Sequence, residues 1–441
     1  MIESIIGFSV LITLILLRLP LAFAMGVIGF IGFWYINDYN WSAAMSMAAR
    51  RIIDTGQDYG LSVIPLFILM GNFVTKAGIS SELYKACNAF VGHRRGGLSM
   101  STILACGGFS AICGSSLATS ATMSKVAMPP MRKYGYSDGL ASASIAAGGT
   151  LGILIPPSVM LVIYGLLTET SIRELFAAGF LPGVLGIVLY LLAVQWVVYR
   201  KPESAPPGDR VGWKERMLAL KGIFSTLLLF VIVMGGIYIG AFTPTEAAGI
   251  GACGAFALAA MRGTLNYTVL REILIDTAKT SASLFAVVIS ALILSNFVNR
   301  AGLPTALVEL IQTANVTPMM ALGIILLIYI ILGCVFESMS MMLLTVPIFY
   351  PVIVELGFDP IWFGIIVVVV TEISLITPPV GLNVFVLSGL IKDINTATIF
   401  RGIFPFWVAD MVRLAFIVLV ASNRTLPPQI TLLMLEGSLT G

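Results

Sequence analysis

Charge is what this chain has least of. Of its 441 residues, 11% are Asp, Glu, Lys or Arg, and 58% are hydrophobic. Soluble domains carry roughly 25% charged residues. The shortage excludes a water-soluble globule, which has nowhere to put so much apolar surface. The net charge of +3 is too small to mark a nucleic-acid surface. Histidine is nearly missing: His93 stands beside Arg94 and Arg95 and reads as a surface residue at a membrane edge. The five cysteines, Cys87, Cys106, Cys113, Cys253 and Cys334, form no Cys-x-x-Cys pair, so they read as small buried hydrophobes rather than a disulfide or metal framework. No His-Glu-x-x-His, Gly-x-Ser-x-Gly or P-loop pattern occurs. An intramembrane enzyme or a purely structural scaffold is disfavoured, and the expectation is a protein that is not an enzyme.

Long apolar runs are what the chain does have, enough for about ten spanning helices. The opening "MIESIIGFSVLITLILL" has an acidic residue where a signal peptide needs a basic one. No small-residue cleavage site follows, so it reads as the first membrane helix.

The two halves repeat. "NFVTKAGI" beginning at Asn72 returns as "NFVNRAGL" beginning at Asn296. At nearly the same spacing Pro20 matches Pro244, Pro129 matches Pro351, Gly135 matches Gly357, and Pro156-Pro157 match Pro378-Pro379. The reading is an all-α membrane protein of two repeats, 1–199 and 222–421. The polar linker 200–221 reads as an extramembrane loop. The first repeat divides into helices 2–18, 20–36 and 61–76, with an amphipathic surface stretch at 41–58. Hairpin limbs at 97–113 and 117–131 follow, then a broken helix 138–167 and a helix 174–199. The second divides into helices 222–240 and 245–261, a surface stretch 265–280 and a helix 281–299. Limbs 318–336 and 338–354, a broken helix 359–391 and a helix 397–421 complete it. As domains, scaffold helices 1–76 and 222–299 stand against hairpins 97–134 and 318–354 and the two broken helices.

Whether each hairpin is re-entrant or spans fully, a repeat crosses the membrane an odd number of times. The second repeat is then inverted relative to the first, a recurring plan of secondary transporters. Lysines and arginines choose the orientation. With the linker in the cytoplasm, only Arg50, Arg51, Arg173, Arg300 and Arg424 fall outside, and Lys125 and Arg413 fall within the membrane. Both termini are expected on the outer, periplasmic side.

The proline pairs explain why two membrane segments are interrupted. Proline removes an N–H and displaces the carbonyl four residues back. Unsatisfied backbone at membrane depth survives only when buried in protein or lining a wet cavity. Carbonyls near Gly152, Ile153, Leu375 and Ile376 are expected to be freed, and such oxygens suit a hard cation. The half-helix after each break offers amides and a positive dipole end to an anion. The tips "GSSLATS" from Gly114 and "ESMSMM" from Glu337 supply facing hydroxyls. Asn383, one turn past the second break, is placed to bind substrate. Glu372 is the better intramembrane charge; Glu246 and Glu337 read equally well as caps, and Asp410 with Arg413 as a pair on one helix.

At these residues the sequence resembles a known family. "GGFSAICGSSLATSATMSKVAMPPM", "YSDGLASASIAAGGTLGILIPPSVMLVIYG", "LLRLPLAFAMG" and "ITPPVGLNVFVLSG" resemble the large membrane (M, or DctM-like) subunit of tripartite ATP-independent periplasmic (TRAP) transporters over essentially the whole chain. The resemblance implies a sodium-driven importer of an organic acid such as a C4-dicarboxylate, sialic acid or sugar acid, in a bacterial inner membrane. It implies an elevator mechanism, a periplasmic binding protein (P) that delivers substrate, and a small Q subunit on a separate chain. It also implies sodium sites between hairpin tips and breaks. The first would use Gly114, Ser115, Ser116, Thr119, Gly149, Thr150, Pro156 and Ser158. The second would use Glu337, Ser338, Met339, Thr371, Thr377 and Pro378, with Glu337-Ser-Met departing from Gly-Ser-Ser. Substrate would lie by Ser116, Ser158 and Asn383. A stand-alone sodium–dicarboxylate symporter is the alternative.

Overall fold

The computed structural model describes residues 2–334 and 336–422; Arg424 lies outside the described residues. Among them no strand occurs. The first half runs α1 (Ile2–Leu16), α2 (Leu21–Ile36), α3 (Trp41–Gln57), α4 (Val63–Lys76), α5 (Ile79–Val91), α6 (Gly97–Cys113), α7 (Ser116–Lys133), α8 (Asp138–Thr150), α9 (Val159–Thr168) and α10 (Ile172–Arg200). The second runs α11 (Trp213–Tyr238), α12 (Pro244–Met261), α13 (Tyr267–Arg300), α14 (Leu303–Thr313), α15 (Pro318–Gly333), α16 (Ser338–Glu355), α17 (Pro360–Ser374), α18 (Leu382–Leu390) and α19 (Thr396–Ser422). Among the described residues α10, α11, α13, α16 and α19 are each long and apolar enough to cross a membrane. The pair α3–α4, bent by 61°, passes the same test together. The remaining apolar helices run 10–17 residues, short of the roughly 20 a single span needs.

Side-chain caps set many of the ends. Ser115, Ser137, Ser158 and Ser171 cap α7, α8, α9 and α10 through their hydroxyls. Thr243 and Glu246 form a reciprocal capping box on α12, and Glu337 caps α16. Each such cap stabilises its helix by about 1 kcal/mol. Glu246 and Glu337 therefore have the local roles that a helix start dictates.

Three boundaries differ from the sequence reading. The expected surface stretch 265–280 and helix 281–299 are one continuous helix, α13. Its counterpart breaks between α3 and α4, where Gly56, Gly60 and Pro65 intervene; α13 contains neither glycine nor proline. The linker 200–221 is not all loop, since α11 begins at Trp213 on a run of strong helix formers. Its remaining part is a strap over the first hairpin. Gly96 N donates to Ala205 O (3.0 Å), Ser137 N to Ser204 O (2.9 Å) and Gly208 N to Gly92 O (3.0 Å), and Tyr134 donates to Asp209. Finally, α5 and α14 have no place in the reading; each follows a glycine in the left-handed region, Gly78 and Gly302.

Packing between the halves is reciprocal. The most extensive helix pairs are α2 with α13 and α4 with α12. The later limb of each hairpin lies on the second half of the other broken helix, α7 on α18 and α16 on α9. The repeated asparagines follow the same rule: Asn72 of α4 donates to Thr277 of α13 (2.9 Å), and Asn296 of α13 accepts from Arg51 of α3 (3.2 Å).

Candidate functional site

Both proline pairs interrupt their helices. The first broken helix is α8, a 3-10 turn at Leu151–Ile153, a cis Pro156-Pro157 bond and α9. The second is α17, a cis Pro378-Pro379 bond and α18. Residues 140–165 are all buried, as are 363–376. The first break is thus enclosed by protein, the condition under which free backbone is tolerated at membrane depth, whereas at the second break Pro378 and Pro379 are exposed and Thr377 and Val380 half-buried.

The sequence around the first break is small because another backbone must come close. A Cβ on Gly149 would stand 2.0 Å from Ser120 Oγ and 3.1 Å from Ser116 O. One on Gly152 would stand 1.7 Å from Ser110 Cβ. These two glycines let α6 and α7 lie directly on the break. At the tip between those helices Gly114 takes a left-handed φ of 65° and ends α6 by donating to Ser110 O (2.8 Å). A Cβ there would meet Val159 at 3.4 Å, so the tip also touches the far side of the break. The second half reverses the sizes of one contact: Gly333, on the hairpin, makes room for Ser374, on the broken helix, whose Oγ would lie 2.0 Å from a Cβ at 333.

The structure brings most of the first candidate set together. Ser116, Thr119, Gly149, Thr150, Pro156 and Ser158 are all buried around one tip and one break. Their hydroxyls are partly committed. Ser115 accepts from Ala118 N (3.3 Å). Thr119 accepts from Ser110 Oγ (3.2 Å), and Thr150 donates to Ala147 O (2.8 Å). Ser158 accepts from Leu161 N (3.2 Å) and donates to Ile153 O, so that carbonyl is not free as expected. Ser120 Oγ, absent from the candidate set, is buried with no hydrogen-bond partner among the described residues. It faces Gly149 beside the Ser116 carbonyl. Neutral oxygens are what this tip and break offer, which is the donor set of a hard monovalent or divalent cation.

The second set is less convergent. Thr371 donates to Val367 O (2.7 Å), and Thr377 donates to Ile373 O (2.7 Å) while accepting from Trp407 Nε1 (3.0 Å). Glu337 accepts from Ser340 N (3.3 Å), within its own helix. Ser338 is buried and Met339 half-buried. Beside the Gly333–Ser374 contact, Cys334 Sγ lies 3.6 Å from Pro378 O, with Ile330 O of its own helix nearer as an acceptor at 3.2 Å. The Leu375 carbonyl, expected free, accepts from Asn383 N (3.1 Å).

Two bridges join the breaks, and the sequence shows neither. Asn383, after the second break, donates from Nδ2 to Ala146 O (3.2 Å), before the first; its Oδ1 is buried without a hydrogen-bond partner among the described residues. The other bridge is ionic. Arg413 of α19 pairs with Glu372 of α17 (2.7 Å) and with Asp410 (2.9 Å), all with essentially no exposure. Tyr190 of α10 donates to Asp410 Oδ2 (2.5 Å) and lies 3.3 Å from Thr150 Oγ1. Asp410 and Arg413 are a pair, as their spacing suggests, and also the centre of a chain from Thr150 to Glu372. Tyr190 carries no sequence signal.

At the base of the first hairpin Arg132 pairs with Asp138 (2.9 Å) and Asp393 (2.8 Å). The Arg132 guanidinium holds the Asp393 carboxyl below the usual carboxylate range. This link between exposed groups is present at neutral pH and is lost only as pH falls below that range, through the lowered value Asp393 has in the folded protein.

The family described as "Tripartite ATP-independent periplasmic transporter, DctM component" matches residues 8–422. The C4-dicarboxylate TRAP transporter large permease protein DctM of Pseudomonas aeruginosa is 38% identical over 373 residues, covering 84% of this chain and 86% of the relative. The sialic acid TRAP transporter large permease protein SiaM of Vibrio cholerae is 33% identical over 400 residues, covering 90% of each. In fold, the chain is similar to the crystal structure of the Alcanivorax borkumensis YdaH transporter, with a TM-score of 0.64 at 13% identity, over 88% of this chain and 90% of that one.

Proposed function

The chain belongs to the family of TRAP transporter DctM components, the large permease subunits, and on that premise we propose that it imports an organic acid by sodium symport. It is a multi-pass inner-membrane transport protein. The relatives are named for a C4-dicarboxylate and for sialic acid, both organic acids, which supports a carboxylate for this chain.

The observation that carries the reading is the pair of Pro-Pro breaks at equivalent places in the two halves, the first fully buried, with a hairpin packed against each broken helix. Sodium is the coupling ion because the first tip and break offer hydroxyl and carbonyl oxygens. The carboxylate is held by the amides that open α9 and α18 and by Asn383. The reciprocal packing supports inverted repeats, with hairpins and broken helices moving as an elevator against a scaffold of 1–76 and 222–299. Both termini lie in the periplasm. A separate Q subunit braces the scaffold, and a periplasmic P subunit delivers substrate.

Uptake into proteoliposomes holding the permease, its small subunit and the binding protein tests this. An inward sodium gradient at constant pH is expected to drive accumulation, and choline in its place is expected to abolish it. Equal uptake in choline contradicts sodium coupling; full uptake without a binding protein favours a stand-alone symporter. Ser120→Ala and Thr377→Ala should each raise the sodium needed for half-maximal uptake about tenfold, as expected for one lost ligand contact. Unchanged sodium activation in both would remove these residues from the sites.

A further inference from the structure

A continuous polar chain runs from the first proposed cation site to Glu372, whose neighbour in sequence, Thr371, belongs to the second, and none of its middle members belongs to either site. Thr150, at the first break, lies 3.3 Å from Tyr190 Oη. Tyr190 donates to Asp410, Asp410 pairs with Arg413, and Arg413 pairs with Glu372, next to Thr371 of the second set. Four helices contribute: α8, α10, α19 and α17.

Counting protons shows why this chain is able to signal. Thr150 has one hydroxyl proton and two acceptors in reach, Ala147 O at 2.8 Å and Tyr190 Oη at 3.3 Å. The Tyr190 proton is committed to Asp410 at 2.5 Å. So Thr150 either serves its own helix or completes the chain. That is a discrete two-state element, the requirement for coupling through a network. A cation that takes a lone pair of Thr150 Oγ1 fixes the direction of its proton. That choice alters how strongly Tyr190 holds Asp410, and through Asp410 how Arg413 divides its charge between Asp410 and Glu372. Burial makes each of these exchanges costly to leave half-made.

We propose that Tyr190, Asp410 and Arg413 are positioning residues that couple the two cation sites, so that occupation of one raises affinity at the other. The inference rests on the sodium reading above. Coupling between two sites gives a sigmoidal sodium dependence, with a Hill coefficient bounded by the number of sites, here approaching about 2. Coupling energies of this kind correspond to roughly 5–150-fold in affinity, exchanged reciprocally.

The test is the sodium dependence of uptake by the assembled transporter in proteoliposomes. Wild type is expected to give a sigmoidal curve. Tyr190→Phe deletes one hydroxyl and little else, and is expected to lower the Hill coefficient toward 1 while folded yield is kept. Asp410→Asn keeps the shape of the cluster and is expected to do the same. A double-mutant cycle with Thr150→Val separates coupling from packing: adding Tyr190→Phe to Thr150→Val should change the curve no further. Steepness unchanged in both Tyr190→Phe and Asp410→Asn overturns the inference, as does a sodium-dependent but hyperbolic wild-type curve. Uptake indifferent to sodium in wild type instead overturns the sodium reading on which the inference stands.

Discussion

Arg413→Met is expected to cost about 3–5 kcal/mol, enough to remove most folded protein from the membrane. Arg413 is the one cation in a cluster with two buried carboxylates, Glu372 and Asp410, and all three have essentially no exposure. Its removal leaves both acids uncompensated in a low-dielectric interior. A domain's whole stability is roughly 5–15 kcal/mol, so one substitution takes a large share of it. Gly186 shows how closely the guanidinium is fitted, since a Cβ there would stand 2.4 Å from Arg413 Nη1. The readout is the monodisperse fraction after detergent extraction, with the thermal midpoint of what remains. Adding Glu372→Gln and Asp410→Asn removes the unpaired charges and is expected to restore much of the yield, because a buried ion pair contributes little beyond its own neutralisation. Wild-type yield and midpoint for Arg413→Met alone would show that the cluster is not load-sharing in this way.

Gly152→Ala is the second large effect. The new methyl would meet Ser110 Cβ at 1.7 Å and Ser110 Cα at 2.6 Å. The near atom is joined to backbone, so a rotamer change gives no relief, and α6 must move off the break. Overpacking of this kind costs about 1–3 kcal/mol. Function suffers more than stability because the displaced segment carries the hairpin tip; uptake at fixed expression is expected to fall more than tenfold. Ser110→Gly in the same chain removes the two nearest atoms and should recover part of the activity. The second half offers the reversed experiment, Gly333→Ala with Ser374→Gly, since there the glycine is on the hairpin. Undiminished uptake by Gly152→Ala would mean that hairpin and break are not in contact during transport.

These expectations rest unequally on the sequence. The first hairpin limb, 97–113, is read to the residue, because glycines and a polar tip punctuate an apolar run. The proline pairs announce both breaks, since proline admits few alternatives in a helix. By contrast α5 and α14, with 13 and 11 residues of mixed polarity, lack the length and apolarity by which a membrane segment is recognised. The continuity of α13 depends on the absence of glycine and proline, a weaker signal than their presence. The bridges between the breaks were not legible at all. Tyr190 is separated from Asp410 by 220 residues, and Asn383 from Ala146 by 237. Periodicity along the chain says nothing about which helices meet. The same limit explains why Ser120, one of the tip hydroxyls, is not among the candidate ligands, while Ser158 is expected to be freer than its two hydrogen bonds allow.

The central claim is that the tip between α6 and α7 and the break after α8 enclose the coupling ion. The most direct measurement is a pair of cryomicroscopy maps of the assembled transporter, one in sodium and one in choline. The account predicts a compact density bounded by the Ser116 carbonyl, Ser120 Oγ and Thr150 Oγ1 in sodium, lost in choline. Identical maps at that place, or a sodium-dependent density elsewhere with none there, would contradict it.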